Sequence, residues 1–375
     1  MQCISTEAEH LSDLTDNSTL DDLIDNTTVN VITDNNAVNE LVDNNTVNEL
    51  VDNTTVNDIT ERQHMDNYAI LLATYNGAEY IEEMLDSVDK QTRGDFTVYI
   101  HDDGSTDNTM DIIRNHIKDK SNYKIMEFKS KPGAKYNFME MLRRVDAKYY
   151  MFADQDDVWF EDKVEKLILK MSEAERDGKD VPLLVHHDMM VVDDNLNVIS
   201  ASFIRYLGRD INRNSLNQLL IDNTAAGTTM LINRALRDKA ILINNVDDVP
   251  MHDHWLMCVA AATGKIYVID EPLIFYRQHE SNVMGADTES KVGKVLRNAK
   301  DVVTGEFARN KRKFHDTEIN LARQLMYVPG VDIKTRKFLV DLINIRDRSK
   351  YKRIKFYRDN GLDRNENSIW MRLWV

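Results

Sequence analysis

Residues 149–159 have the sequence YYMFADQDDVW, in which five mostly apolar residues are followed by three acids. The apolar run is typical of a buried strand, and Asp154, Asp156 and Asp157 then lie in the turn that follows it. Two carboxylates at i and i+2 of an extended turn can share one hard cation, such as Mg²⁺ or Mn²⁺. A solvated acidic turn is the alternative. Because three acids would repel one another without a cation, the sequence favours a metal site.

Two earlier apolar runs end in polar residues in the same way. YAILLA at 68–73 is followed by Thr74 and Asn76, and FTVYI at 96–100 is followed closely by Asp102 and Asp103. Segments with helical spacing stand between these runs. Strands that alternate with helices predict an α/β fold, with a mostly parallel central sheet and helices on both faces. Ligands of such sheets bind at the carboxyl ends of the strands, so these polar residues are candidate binding residues.

The second half of the chain adds further predicted strands, a helix and candidate binding residues. A strand is predicted at 183–187 and ends at Asp188, and two more are predicted at 265–269 and 273–279. Gly227 and Thr228 precede another strand, where a glycine lets backbone approach a substrate; a strand bulge is the alternative. The segment MHDHW at 251–255 opens an apolar helix that is predicted to reach residue 262.

Five motifs occur in a fixed order along the chain: ATYNG at 73–77, DDGSTD at 102–107, DQDDVW at 154–159, MHD at 251–253 and YRQH at 276–279. In this order they resemble the family 2 glycosyltransferases, which have the GT-A fold. The chain is most similar to the bacterial branch that is rich in rhamnosyltransferases and builds surface polysaccharides. The resemblance covers about residues 67–285. It implies a nucleotide-diphospho-sugar donor held at the strand ends.

The resemblance also implies a role for each motif residue. Thr74, Asn76, Asp102 and Asp103 match nucleoside-binding positions. Asp154 would face the ribose, and Asp156 would hold the metal between the phosphates. Asp157 would bind sugar hydroxyls or order the loop. Asp253 matches the general base of inverting enzymes, and its place at a helix start favours the anion, although a simple helix cap is the alternative.

Other motif residues have less defined roles. His252 departs from the Glu that often precedes this base, but His-Asp resembles the rhamnosyl branch. His279 would approach the diphosphate or the metal, with a structural histidine as the alternative. Arg277 would pair with phosphate or with an acid of the core. Asp188, Gly227 and Thr228 would lie near the acceptor or the donor sugar.

The two ends of the chain have opposite charge. Residues 1–65 hold 14 acidic residues and one Arg, and they include nine-residue units that begin at Asp16, Asp25, Asp34, Asp43 and Asp52. Nine residues make about two and a half helical turns, so no single amphipathic stripe forms. We expect residues 1–64 to be a disordered or weakly helical acidic spacer, with a stacked solenoid or an oligomerisation arm as the alternative. Residues 65–285 would form the GT-A domain, and residues 286–375 a helical segment.

The basic segment at 291–375 holds 21 Lys/Arg and 10 Asp/Glu, and it includes KYKRIKFYR at 350–358. Cations interleaved with aromatic residues suit an anionic membrane surface; a solvated helix face, or docking on the chain's own acidic surface, are alternatives. The net charge of −16 argues against nucleic acid as a partner. Two cysteines fit a reducing compartment, and neither a signal peptide nor a membrane-spanning run is evident. We expect a cytoplasmic location, with a place at the inner face of the plasma membrane.

These observations predict an inverting, metal-dependent glycosyltransferase whose acceptor is a saccharide or a lipid-diphosphate-linked sugar. The expected donor is dTDP-L-rhamnose, with UDP-hexoses as the main alternative. Aspartyl-phosphate phosphatases share the acidic signature but carry it on their first strand, whereas three strands precede it here. Nucleotidyltransferases need a Gly-rich basic loop after the first strand, which residues 74–77 lack. A non-enzymatic binding protein on the same scaffold is the last alternative.

Overall fold

The computed structural model describes residues 66–178, 180–278 and 306–362. The acidic repeats, His279 and the last residues of the basic segment lie outside this part of the chain. The three predicted domain boundaries, and the roles predicted for those residues, therefore remain predictions.

The first half of the chain forms a parallel sheet with helices between its strands. Its elements are β1 (Asp66–Thr74), α1 (Ile81–Asp89), β2 (Thr97–Asp102), α2 (Thr109–Ile117), β3 (Tyr123–Ile125), α3 (Ala134–Arg144) and β4 (Ala147–Asp154). β1 lies at the centre and pairs in parallel with β2 on one side and with β4 on the other. β3 extends the sheet beyond β2. The carboxyl ends of β1, β2 and β4 consequently lie at one edge.

The second half continues the same sheet with mixed pairing. Its elements are β5 (Val158–Trp159), α4 (Lys163–Ala174), β6 (Leu183–Val192), β7 (Val198–Ser200), α5 (Phe203–Tyr206), α6 (Leu216–Leu219), β8 (Met230–Asn233), α7 (Arg234–Ala240), α8 (His252–Thr263) and β9 (Lys265–Arg277). The strand order is β3-β2-β1-β4-β8-β6-β9-β5, and β7 pairs with β6. β8 is antiparallel to both β4 and β6, whereas β6 and β9 are parallel.

Two strand assignments were wrong. The strand predicted to end at Asp188 continues as β6 to Val192. Separate strands were predicted at 265–269 and 273–279, but β9 is continuous from Lys265 to Arg277. The pairing of β9 with β6 shifts its register near the exposed Asp270 and Glu271. Such an irregularity accommodates Pro272, which has no N–H to donate to the sheet.

Side chains of the central strands enter two separate cores, as alternation along a strand requires. Ala69 and Leu71 of β1 pack with Phe138 of α3 and Trp255 of α8. Ile70 of the same strand packs on the other face, in the cluster that includes residues of α1 and α4. The predicted sheet with helices on both faces is therefore confirmed.

The predicted helical C-terminal segment is also confirmed in its described part. It consists of α9 (Glu306–Leu325), α10 (Ile333–Ile343) and α11 (Lys350–Asp359). Apolar residues of these helices, such as Leu321 and Leu339, belong to the same core cluster as Trp255. Among the described helices, none combines the length and the apolar character that crossing a membrane requires.

Candidate active site

The polar residues that end three strands meet at one edge of the sheet. Thr74 of β1 stands opposite Asp102 of β2, and Ala73 stands opposite Asp154 of β4. Parallel pairing produces this arrangement, because it brings the carboxyl ends of neighbouring strands together. The sequence predicted this clustering, and the strand register confirms it.

Asp102 shapes the loop after β2. Its Oδ1 accepts hydrogen bonds from the Thr74 hydroxyl (3.0 Å) and the Ser105 hydroxyl (2.5 Å). Its Oδ2 accepts from the backbone N–H groups of Gly104 (3.1 Å) and Ser105 (2.8 Å). A carboxylate has about four lone-pair positions, so these four bonds occupy Asp102 fully.

Asp103 is engaged less completely. Its Oδ2 accepts a hydrogen bond from the backbone N–H of Gly133 at 2.5 Å. Its Oδ1 accepts none from the residues that the structure describes. Of the two adjacent aspartates, Asp103 therefore keeps the acceptor capacity that a nucleobase N–H requires.

Asn76 and Gln155 join the loops to one another. Asn76 has a φ of +46° and accepts a hydrogen bond on Oδ1 from the Thr106 N–H at 2.8 Å. The side-chain amide of Gln155 binds both backbone groups of Tyr75: it accepts from the N–H at 2.8 Å and donates to the carbonyl at 2.9 Å. A Cβ at Gly77 would lie 2.3 Å from Gln155 Cδ, so this contact requires glycine. Sequence analysis gave Gln155 no role.

The acidic corner, defined as Asp154, Asp156 and Asp157, concentrates negative charge. Burial, together with the charges of Asp156 and Asp253, raises the pKa of Asp154 to about 7. Asp157 is buried, and the Thr228 hydroxyl lies close enough to its carboxylate to lower the pKa of Asp157. Burial and the other two acids raise its pKa well above the usual range. The corner therefore has the oxygen ligands and the excess negative charge that suit a hard divalent cation.

Asp253 lies in the first turn of α8 and faces the acidic corner closely enough to raise the pKa of Asp154. Its Oδ2 accepts from the Gly227 N–H at 3.2 Å, and its Oδ1 accepts from the His254 N–H at 2.5 Å. Burial raises the pKa of Asp253 to about 6, although both N–H groups lower it. A carboxylate with this pKa can accept a proton near neutral pH.

His252 packs inside the protein beside the site. Its ring lies 4.3 Å from the ring of Phe138 and 5.4 Å from that of Phe152. Burial lowers its pKa to about 3, so the ring is neutral. A Cβ at Gly227 would lie 2.4 Å from His252 Nε2, so the glycine makes room for this ring. The structure thus gives His252 and Gly227 a packing role, while substrate contact by either remains a prediction.

Arg277 and Asp188 are buried and engaged with the protein itself. Arg277 Nε donates to the backbone carbonyl of Asp156 at 3.2 Å, and its guanidinium pairs with Glu83 at 2.5 Å. The sequence left phosphate or a core acid as partners of Arg277, and the observed partner is an acid. Asp188 accepts from the N–H groups of Met189 (2.8 Å) and Ile204 (3.2 Å) and from a serine hydroxyl, which fixes the start of α5.

A second group of potential metal ligands lies away from the strand ends. Asp86, Asp89 and His116 of α1 and α2 have ligand atoms within 4.8 Å of one another. The ammonium of Lys120 donates to Asp89 and lies 2.7 Å from His116 Nε2. The ammonium of Lys120 therefore pairs with this group, which lies away from the carboxyl ends of the strands, where ligands of such sheets bind.

Comparison with known proteins identifies the family. The family model "Glycosyl transferase family 2" matches residues 69–236, which include all three strand-end loops and stop before Asp253. The dTDP-rhamnosyl transferase RfbG of Shigella flexneri is 32% identical over 238 residues, which cover 59% of this chain and 75% of that protein. The chain belongs to glycosyl transferase family 2. The predicted family and the predicted enzyme class are confirmed: the protein is a glycosyltransferase.

Other similar proteins carry the same general name. An uncharacterized glycosyltransferase of Nostoc is 24% identical over 267 residues, which cover 69% of this chain and 80% of the relative. Among solved structures, TarS 1–349 of S. aureus in complex with UDP aligns with a TM-score of 0.48 and 16% identity, covering 79% of this chain and 74% of that one.

Lys163 is the main site residue of this glycosyltransferase that sequence analysis missed. It is fully buried, and Asp154 and Asp157 act on it electrostatically. A signal was present: residue 163 precedes the buried Leu167 and Met171 by one and two helical repeats. A lysine on the apolar stripe of a helix, directly after an acidic loop, indicates a buried ammonium that balances part of the negative charge of that loop.

Proposed function

We propose that this glycosyltransferase moves a sugar from a nucleotide-diphospho-sugar to an acceptor hydroxyl with inversion, using Mg²⁺ or Mn²⁺. One observation carries the proposal: the charge of Asp253 raises the pKa of Asp154, so a candidate base and the acidic corner share one site. Glycosyl transfer in a single displacement needs a base for the acceptor hydroxyl and a site that stabilises the leaving diphosphate, and the two must lie close together. The alternative of an aspartyl-phosphate phosphatase finds no support, because the chain belongs to a glycosyltransferase family and its acidic signature follows the fourth strand.

The nucleoside would bind across the loops after β1 and β2. Asp103 Oδ1 would accept the N3–H of a uracil or thymine ring, since Asp102 is saturated by bonds within its own loop. Thr74 and Asn76 would support the pocket through Asp102 and Thr106. Asp154, at the end of β4, would face the ribose.

Asp156 would hold the metal, and His279 would be a further ligand. When bound, the cation would stabilise the diphosphate leaving group. Arg277 supports this arrangement by fixing the Asp156 carbonyl. The buried carboxylate of Asp157 and the neighbouring hydroxyl of Thr228 would bind hydroxyls of the sugar.

Asp253 would take the proton of the acceptor hydroxyl as that oxygen attacks the sugar. The two N–H groups that bind its carboxylate orient it and keep its pKa near 6, so it is mostly ionised at neutral pH. A base whose pKa lies near the working pH is largely ionised and still has a high affinity for a proton, and both properties favour proton transfer.

The proposed donor is dTDP-L-rhamnose, with UDP-hexoses as the alternative. The support is the similarity to the Shigella dTDP-rhamnosyl transferase. A thermal-shift panel of nucleotide sugars with Mn²⁺ tests the donor, because a ligand that binds the folded state raises the apparent stability by mass action. The proposal expects the largest shift with dTDP-L-rhamnose. A larger shift with a UDP-hexose would select the alternative, and no shift with any member would contradict the proposed function.

The proposed acceptor is a saccharide or a lipid-diphosphate-linked sugar of surface polysaccharide synthesis, met at the inner face of the plasma membrane. The basic C-terminal helices support this proposal. Lys350, Tyr351, Lys352, Lys355 and Arg358 of α11 are all exposed, and Tyr351 is 74% exposed. Cations near an anionic bilayer contribute about 1 kcal/mol each, and an exposed aromatic ring suits the interface.

A further inference from the structure

Lys163, the first residue of α4, is completely buried. Lysine is almost never fully buried unless it is paired, because the ammonium loses its water. Lys166, on the next turn of the same helix, instead pairs with Asp162 and Glu271 near the surface. The position of Lys163 therefore needs a specific explanation.

Three elements of the site converge on the Lys163 ammonium. Nζ donates a hydrogen bond to the backbone carbonyl of Thr228 at 2.7 Å. It also stands 3.3 Å from the centre of the Trp159 ring, where a cation–π interaction stabilises a desolvated charge. Burial lowers the pKa of Lys163 well below its usual range, and the charges of Asp157 and Asp154 oppose this.

The Thr228 carbonyl belongs to a single 3₁₀ turn at Gly227–Thr229, between α6 and β8. The N–H of Gly227, in the same turn, donates to Asp253 Oδ2 at 3.2 Å. The ring of His252 fills the space that a Cβ at Gly227 would occupy, so this residue is also packed closely against α8. A continuous path therefore runs from Lys163 Nζ through the backbone of this turn to the Asp253 carboxylate.

We propose that Lys163 is a positioning residue that holds the 227–229 turn, and through it the Asp253 carboxylate, in line with the acidic corner. This inference rests on the proposed function, since it takes Asp253 as the base. Lysine suits the place because its compact ammonium can donate to a carbonyl while it lies against the face of an aromatic ring.

The test compares Lys163→Met with wild type in the full chain. Methionine keeps an unbranched chain of similar shape and removes the donor to Thr228. We expect kcat with the donor that the panel selects to fall about 10- to 100-fold, since misplacing a reacting group by about 1 Å costs this much. The Kd of dTDP or UDP with Mn²⁺ should change less than kcat, because Lys163 acts on Asp154 and Asp157 only through its charge and does not contact the loops after β1 and β2.

The pH profile gives a readout that simple loss of stability does not move. Loss of the Gly227 N–H would raise the pKa of Asp253, so the acid limb of kcat should shift to higher pH. The His254 N–H of α8 also acts on Asp253 and is unchanged in the variant, whereas loss of the Lys163 charge would raise the pKa of the neighbouring Asp154 of β4. Lys166→Met, the same substitution three residues along α4, should leave kcat and its pH profile unchanged.

Two outcomes would overturn the inference. One is a Lys163→Met enzyme with kcat within about twofold of wild type and the same pH profile. The other is a parallel loss of kcat, nucleotide binding and Tm, which indicates general damage. If Lys163→Met is insoluble, Lys163→Leu, which also lacks an N–H donor, is judged by the same criteria. A wild type without turnover of any nucleotide sugar would instead contradict the proposed function.

Discussion

Asp253 holds its carboxylate between the backbone N–H groups of Gly227 and His254. We expect Asp253→Asn to keep the shape of the side chain and one of the two hydrogen bonds, because its amide nitrogen cannot accept from an N–H, and to remove the proton affinity. Donor binding should therefore persist, and kcat should fall by roughly 10²–10⁴. Steady-state kinetics with a nucleotide titration of the same preparation measures both quantities. Near-normal turnover would remove Asp253 as the base.

The pKa of Asp253 also sets a pH dependence. Burial raises this pKa to about 6, and the base works only when ionised, so kcat should rise with pH through about 6 and level off above it. The expected slope is about one decade per pH unit below that value. A kcat that stays flat between about pH 5 and 7, at saturating metal and donor, would contradict the assignment.

Asp102 and Asp103 are adjacent in the sequence, but the structure gives their carboxylates different hydrogen bonds. The sequence placed both at the nucleoside because both follow the same strand. Only the observed hydrogen bonds distinguish the saturated Asp102 from Asp103, which keeps a lone pair. Side-chain orientation within a turn depends on distant loops, here residue 133, and a linear pattern does not contain it.

At the scale of elements, Gln155 links the loops after β1 and β4. Loss of its two bonds to Tyr75 should free the β1 loop that carries Asn76, at about 0.5–1.5 kcal/mol per bond. We expect Gln155→Ala to weaken binding of dTDP or UDP about 5- to 100-fold in a titration with Mn²⁺.

Gln218→Ala is the matched control, because Gln218 belongs to an exposed capping box in the short helix α6. It should leave nucleotide affinity unchanged. Equal affinity of Gln155→Ala and Gln218→Ala would show that the link between the loops does not support the nucleoside pocket.

Local patterns predicted β1, β2 and β4 and the loops that follow them, because apolar runs closed by polar residues are a short-range signal. The antiparallel insertion of β8 between β4 and β6 was not predictable in this way, since the pairing joins residues 149–151 to 231–233. The same limit explains the error in β9, where exposed Asp270 and Glu271 resemble a turn. Pairing partners, rather than local composition, decide such strands.

At the scale of the whole molecule, charge is divided between the acidic N-terminal end and the basic C-terminal segment. We expect the protein to sediment with vesicles that contain about 30% phosphatidylserine and to be released by salt. Lys350→Gln combined with Lys352→Gln should weaken this binding about 30-fold, because two exposed cations of α11 are lost at about 1 kcal/mol each.

Lys90→Gln combined with Lys118→Gln makes the same charge change at exposed positions near α1 and α2 and serves as the control. Equal weakening by the two pairs would indicate only a general charge effect. Binding by neither wild type nor control would leave the basic segment without a membrane role.

Metal-assisted nucleotide binding at the acidic corner is the central claim, and calorimetric titration of dTDP and UDP into wild type and Asp156→Asn tests it most directly. With Mn²⁺ present, wild type should bind at least one of the two nucleotides, and chelation of the metal should abolish this binding. Asp156→Asn should bind weakly and equally with and without Mn²⁺, while its Tm stays close to that of wild type. Undiminished, Mn²⁺-dependent binding by Asp156→Asn would contradict the account.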